Sequence, residues 1–83
     1  MVLDVIGFVR DDLLVESKAI VGKNIRDNRC RLKMTQEALA ERCDMHVVEV
    51  GRAERGVRDL RTSTVVKLAR GLEIPAGELL RGL

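Results

Sequence analysis

Four arginines follow one another at three-residue intervals in the second half of the chain: Arg52, Arg55, Arg58 and Arg61. A guanidinium group offers a planar fork of donors, which fits a phosphate or the edge of a guanine better than an ammonium group does. The net charge is +2, divided into −1 over residues 1–23 and +3 over residues 24–83. This excess favours a polyanionic partner, although charge alone also fits a solvated surface of mixed sign.

Cysteine and histidine are the residues that could bind a metal. Cys43 and His46 lie three residues apart, and Cys30 lies upstream. A structural zinc site takes four ligands, and no fourth ligand lies at a usual spacing, so we expect no metal and no cofactor. Cys43 is interpreted as a small apolar core residue, and a redox role for an exposed Cys30 stays an alternative.

Composition argues against several other function classes. One histidine, no glycine-rich phosphate loop and no nucleophile–base signature predict that the protein is not an enzyme. The only aromatic residue is Phe8, so bases of single-stranded nucleic acid would find no stacking platform. The apolar N-terminus is broken by Asp4, is too short to cross a bilayer and does not resemble a secretory leader. We therefore expect no membrane association and a reducing cytoplasm.

The segments that position these residues are predicted to be helices joined by short turns, because there is one proline and the glycines are scattered. An apolar stripe predicts a first helix over about residues 20–33: Val21, Ile25 and Leu32. Thr35 is expected to be the N-cap of a second helix, with Glu37 in its first turn. That helix should end near Cys43 and Asp44.

Three more helices complete the prediction. The third should run from about His46 to Glu54 and leave through Gly56. After a basic loop over residues 57–61, the fourth should be capped by Thr62 and stop at Gly71. Pro75 is expected in the first turn of the last helix. The predicted inner faces of helices two to four are Ala38, Leu39 and Cys43; Val47, Val50 and Ala53; and Val65, Val66, Leu68 and Ala69.

These elements predict an all-α, compact five-helix domain over residues 20–83, preceded by an N-terminal extension over residues 1–19. The extension carries five apolar residues at helical spacing: Val2, Val5, Ile6, Val9 and Leu13. Its segment "VLDVIGFV" also fits a short strand. The extension is a candidate for an additional dimer contact.

The stretch from Thr35 to Gly56 is the most informative part of the chain. It predicts a short helix, a tight turn at Asp44–Met45 and a second short helix. At this spacing the first helix can cross the DNA backbone while the second presents its N-terminal residues to the major groove.

Over about residues 22–80 the sequence resembles the Cro and phage-repressor-like helix-turn-helix regulators. The similar blocks, in the family's order, are "IRDNRCRLKMTQEALAERC", "RAERG" and "TVVKLARGLEIPAGELL". The compact size and the "ERGVRDL" loop are similar to controller proteins of restriction–modification systems. The resemblance implies a repressor-like transcription regulator that binds double-stranded DNA in a bacterial or phage cytoplasm, associated with the nucleoid.

The resemblance also assigns roles by position. Gln36 is expected to contact a phosphate from the start of the second helix, the alternative being an exposed amide. Arg29 and Glu54 match a pair that links helix one to the end of helix three; a solvated Arg29 is the alternative. Three arginines after the second helix of the motif are expected to lie along the sugar–phosphate strand: Arg55, Arg58 and Arg61. The alternative is a solvated loop.

The base-reading positions match His46, Val47, Val48 and Arg52, and here the chain departs from the family pattern because two of the four are valine. Arg52 is expected to read a base directly or to bind a phosphate. Val48 can pack on a thymine methyl group, while Glu49 would repel phosphate or accept from a cytosine amine. Recognition is therefore predicted to use few contacts together with DNA shape.

A homodimer is expected because apolar residues crowd the C-terminal end of a small domain: Leu72, Ile74, Leu79, Leu80 and Leu83. Two-fold symmetry would match a pseudo-palindromic operator with half-sites about one helical turn apart. Autoregulation through protein concentration is the simplest hypothesis for control. The alternative is a helix-turn-helix interaction module, similar to an antitoxin or adaptor, in which DNA reading is weak or lost.

Overall fold

The computed structural model describes the backbone from Val2 to Leu83 and the side chains from Ser17 onward. Its helices are α1 (Val2–Arg31), α2 (Gln36–Cys43), α3 (Val47–Arg55), α4 (Thr62–Gly71) and α5 (Ala76–Leu79). There is no strand between Val2 and Leu83, so the predicted all-α, five-helix fold is confirmed. Within the described residues, no helix is long and apolar enough to cross a membrane.

Helix α1 is longer than the sequence pattern indicated. It begins at Val2, so the segment for which a helix and a short strand were both open belongs to the same helix as residues 20–31. The predicted apolar face and dimer contact of this segment involve side chains before Ser17, which lie outside the described residues. The division into an extension over residues 1–19 and a domain over residues 20–83 stays a prediction.

Helix α2 begins and ends as its local sequence predicts. Thr35 is the N-cap, and its hydroxyl oxygen accepts a hydrogen bond from the backbone N–H of Ala38 at 3.0 Å. Asp44 ends the helix in the left-handed region, with φ of 54° and ψ of 51°. This backbone reversal lets the amide of Met45 donate to Ala40 at 2.9 Å, which makes the tight turn that leads into α3.

The last two helices begin one residue away from their predicted starts. Arg61 is the N-cap of α4, and Thr62 is already its first helical residue, so the predicted Thr62 cap is wrong. Pro75 is the N-cap of α5 and does not lie in its first turn. Gly56 ends α3 in the left-handed region, with φ of 69°, as its position predicted.

Apolar side chains from all five helices form one core. Six of them are completely buried: Ile25, Leu39, Val50, Leu68, Leu72 and Leu79. Ala40, Cys43, Ala53 and Ala69 fill the space between them. Val47 was predicted to face inward but is 36% exposed, because the side of α3 that packs on the core is the one carrying Val50 and Ala53.

Helix α1 packs closely on the end of α3 at Gly22. A β-carbon added to Gly22 would lie 2.5 Å from the carbonyl oxygens of both Ala53 and Glu54. No side chain fits at that distance, so this glycine sets how near the two helices lie. The C-terminal end of α3 is therefore placed directly against α1.

Candidate nucleic-acid interface

Helices α2 and α3 form a helix-turn-helix pair with an exposed outer face. Leu39, Ala40 and Cys43 on α2 are buried, as are Val50 and Ala53 on α3. The opposite side of α3 points outward at its N-terminal half. The residues that the family resemblance assigned to base reading all lie on this exposed surface: His46, Val47, Val48 and Arg52. Glu49 is exposed beside them.

The first turn of α3 makes few side-chain interactions. His46 is its N-cap residue but its imidazole makes no capping hydrogen bond. Val48 is 56% exposed and the adjacent Val47 is 36% exposed, so two neighbouring apolar side chains lie at the surface here. This part of the helix is therefore available to an external partner.

The C-terminal end of α3 is fixed to α1 by a bidentate ion pair. Arg29 Nε donates to Glu54 Oε2 at 2.6 Å, and Arg29 Nη2 donates to Glu54 Oε1 at 3.0 Å. The two side chains are 14% and 5% exposed, and Arg29 Nη1 also donates to the carbonyl oxygen of Met34 at 2.9 Å. The hydrogen bonds to Glu54 raise the pKa of Arg29, against the opposing effect of burial, so this guanidinium stays charged.

Gln36 is a third member of this cluster, which the sequence did not reveal. Its Nε2 donates to Glu54 Oε1 at 3.0 Å, so the first residue of α2 is tied to the end of α3. The two residues are 18 positions apart, and no local pattern joins them. One amide hydrogen of Gln36 is used in this way, and the side chain keeps a second donor.

The arginines that follow the first turn of α3 have no carboxylate partner among the described residues. Glu54 is occupied by Arg29, and Asp59 lies 3.8 Å from the amine of Lys18. The two acids that could have neutralised the basic loop therefore pair elsewhere. The unpaired and exposed arginines are Arg52, Arg55, Arg58 and Arg61.

Comparison with known proteins agrees with this geometry. Residues 25–79 match the family described as "Helix-turn-helix". Control protein C.SmaI of Serratia marcescens is 33% identical over 70 residues, which cover 84% of this chain and 83% of the relative. Control protein C.BamHI of Bacillus amyloliquefaciens is 30% identical over 64 residues, covering 76% and 79%. The chain belongs to this helix-turn-helix controller family.

A solved structure of a controller has the same fold. The restriction-modification controller protein C.AhdI from Aeromonas hydrophila superposes with a TM-score of 0.72 and 33% identity. The match covers 74% of this chain and 92% of the C.AhdI chain. About a quarter of this chain therefore has no counterpart in the C.AhdI structure. The resemblance read from the sequence blocks, including its similarity to restriction–modification controllers, is confirmed.

The C-terminal end of this controller-family chain corrects part of the predicted dimer interface. Leu72 and Leu79 are completely buried in the core of the single chain, so they have no surface to offer and were wrongly included. Ile74 is half-buried, whereas Leu80 and Leu83 are 45% and 62% exposed. These two exposed leucines border a groove of about 180 Å³, which is also lined by Val21, Leu60 and Val65.

The two cysteines differ in environment. Cys43 is buried between α2 and α4, where its thiol donates to the carbonyl oxygen of Lys67 at 3.4 Å and burial raises the pKa of the thiol. Cys30 is exposed. Among the residues that the structure describes, no three His, Cys, Asp or Glu side chains are grouped to hold a metal ion.

Proposed function

We propose that this protein is a sequence-specific regulator of transcription that inserts α3 into the major groove of double-stranded DNA. The observation that carries the proposal is the exposed N-terminal half of α3 on a helix whose other end is fixed by Arg29, Glu54 and Gln36. A groove-reading helix needs such a fixed orientation and free side chains at its leading end. Membership of the controller family supports the same role.

Base recognition in this proposal uses few side chains. Arg52 is exposed and unpaired, and it donates to the O6 and N7 acceptors of a guanine. Val48 packs on a thymine methyl group, and Glu49 accepts from a cytosine amine or excludes other bases. His46 and Val47 lie at the leading edge, where shape and water-mediated contacts contribute.

Phosphate contacts supply the rest of the affinity. Gln36 binds one phosphate with its remaining amide hydrogen, beside the positive end of the α2 dipole. The three other contacts come from the exposed arginines that lack a carboxylate partner: Arg55, Arg58 and Arg61. Binding should therefore weaken steeply as salt rises.

The active species in this proposal is a homodimer in a bacterial cytoplasm. Leu80 and Leu83, with the half-buried Ile74, form the apolar surface that a second copy would cover. Two-fold symmetry then places two copies of α3 about 34 Å apart on a pseudo-palindromic operator. Because the similar protein C.AhdI is a restriction-modification controller protein, we infer that the operator lies in the promoter of this protein's own operon.

The proposal is tested by fluorescence anisotropy with the DNA upstream of the gene and a shuffled duplex of equal composition, across a salt series. We expect saturable preference for the upstream duplex and an affinity that falls linearly in a log–log plot against salt. Absence of binding to either duplex at low salt would contradict it. That outcome would favour the alternative, suggested by the exposed Val47 and Val48, of a helix-turn-helix module that binds another protein.

Dimerisation is tested with Leu80→Asp, which places a charge on the exposed apolar surface without entering the core. Sedimentation should show a monomer, and operator affinity should fall at least tenfold because one half-site contact is lost. Arg81→Asp is the matched control, since Arg81 is its exposed neighbour. An unchanged dimer of the Leu80 variant would place the interface elsewhere.

A further inference from the structure

A cleft of about 210 Å³ lies where α1, the start of α2 and the end of α3 meet. The side chains that line it are Arg26, Arg29, Gln36, Glu54 and Arg55. Three arginines against one glutamate leave two positive charges in a small space. The cleft is therefore electropositive although it contains the buried Glu54 carboxylate.

The negative charge of Glu54 is already satisfied from within the protein. Its two oxygens accept from Arg29 Nε, Arg29 Nη2 and Gln36 Nε2 at 2.6, 3.0 and 3.0 Å. The side chains of Arg26 and Arg55, by contrast, have no hydrogen bond or ion pair within the described part of the chain. An anion that enters the cleft meets two free guanidinium groups without breaking the Arg29–Glu54 pair.

Backbone donors lie beside the same cleft. The Thr35 hydroxyl uses the N–H of Ala38, and the described hydrogen bonds leave the first-turn amides of Gln36 and Glu37 without an acceptor. These amides carry the positive end of the α2 dipole. The Glu37 side chain is exposed and does not line the cleft, although its negative charge contributes to the raised pKa of Arg29. Guanidinium forks and free amides together suit the oxygens of a phosphate.

We propose that Arg26, on α1, is a further ligand of the DNA phosphate that Gln36 contacts, and that this cleft holds that phosphate. The inference rests on the proposed function, because the phosphate belongs to the duplex that α3 reads. It brings α1 into the DNA-binding surface and gives Arg26 a role that its position in the sequence did not indicate.

The test uses the full-length protein with Arg26→Ala and the matched control Arg31→Ala, an exposed arginine five residues further along α1. Operator binding by Arg26→Ala should weaken about tenfold, and the salt slope should fall by roughly one for each subunit. The base preference and the thermal midpoint should not change. Arg31→Ala should bind as the wild type does, and Arg26→Lys should retain part of the lost affinity because it keeps the charge.

A scan of single methylphosphonates along the operator locates the contact, since each removes one backbone charge. A methylphosphonate at one position in each half-site should weaken binding by the wild type. At the same position it should not weaken binding by Arg26→Ala any further. Equal behaviour of the Arg26 and Arg31 variants, with a wild type that still prefers its operator, would overturn the cleft proposal alone. A wild type that binds no duplex would overturn the proposed function.

Discussion

The two ends of helix α3 are held very differently. At its C-terminal end the Glu54 side chain is 5% exposed and accepts three hydrogen bonds from Arg29 and Gln36. At its N-terminal end His46 makes no capping bond and Val48 is 56% exposed. One helix thus combines a rigid, buried, polar anchor with a leading turn whose side chains are free.

This contrast separates orientation from reading. The anchor fixes the axis of α3 with residues that the leading turn does not use, so in the proposed complex the leading turn is free to contact DNA while the axis stays in place. A preorganised helix also loses less conformational freedom when it binds. We therefore expect substitutions at the anchored end to change stability and those at the free end to change DNA affinity.

Glu54→Ala should have the largest effect on stability, because it leaves the nearly buried Arg29 guanidinium without its partner. Removing one member of such a pair costs about 3 kcal/mol or more in free energy of unfolding, which urea denaturation would measure. The double variant Arg29→Met with Glu54→Leu should recover most of this loss, because neither charge is then left without a partner. If the double variant is as unstable as the single one, the pair is not the main interaction at this position.

Gly22→Ala tests the contact that places α1 against the anchored end. The new β-carbon would overlap the carbonyl oxygens of Ala53 and Glu54, and overpacking of this kind costs about 1–3 kcal/mol. Gly77→Ala on α5 is the matched control, because nothing lies within 4 Å of its added β-carbon. The control should be neutral or slightly more stable in thermal denaturation. Equal stability of the two variants would contradict the close approach of α1 and α3.

Cys43 gives a smaller, pH-dependent effect away from both ends of α3. Burial raises the pKa of its thiol, so the folded state keeps this proton to a higher pH than the unfolded state does. The unfolded state then binds fewer protons, and the free energy of unfolding should fall as pH rises from the usual thiol value of 9.0 upward. Cys43→Ala should reduce that fall, measured as the difference between urea midpoints at two pH values. The same pH dependence in Cys43→Ala and in the wild type would contradict a buried thiol at this position.

Several features set by neighbouring residues could be predicted from the sequence, although the predicted starts of α4 and α5 were each one residue off. The Thr35 cap and the Gly56 exit depend on chemistry within one helical turn, and both occur where the pattern placed them. Helix α2 is bounded as predicted for the same reason. The Arg29–Glu54 pair spans 25 residues and was reached only through resemblance to a family.

Features set by packing between distant segments were missed. Leu72 and Leu79 resemble Leu80 and Leu83 in the sequence, yet the first two are buried and the last two are exposed. The way the end of α4, helix α5 and the residues after it pack on the core decides between them, and no local pattern encodes this packing. The bond from Gln36 to Glu54 and the position of Arg26 in the cleft also depend on how three helices meet.

The proposal that the free end of α3 reads the bases is tested most directly with Arg52→Ala. The quantity to measure is the ratio of affinities for the operator and for random duplex, in the wild type and in the variant. We predict that the variant keeps the wild-type thermal midpoint and its weak binding to random DNA, while operator affinity falls by about 1–3 kcal/mol and the ratio moves toward one. That result would assign reading to the free end of α3. An unchanged ratio would contradict the assignment, whatever the variant does to total affinity.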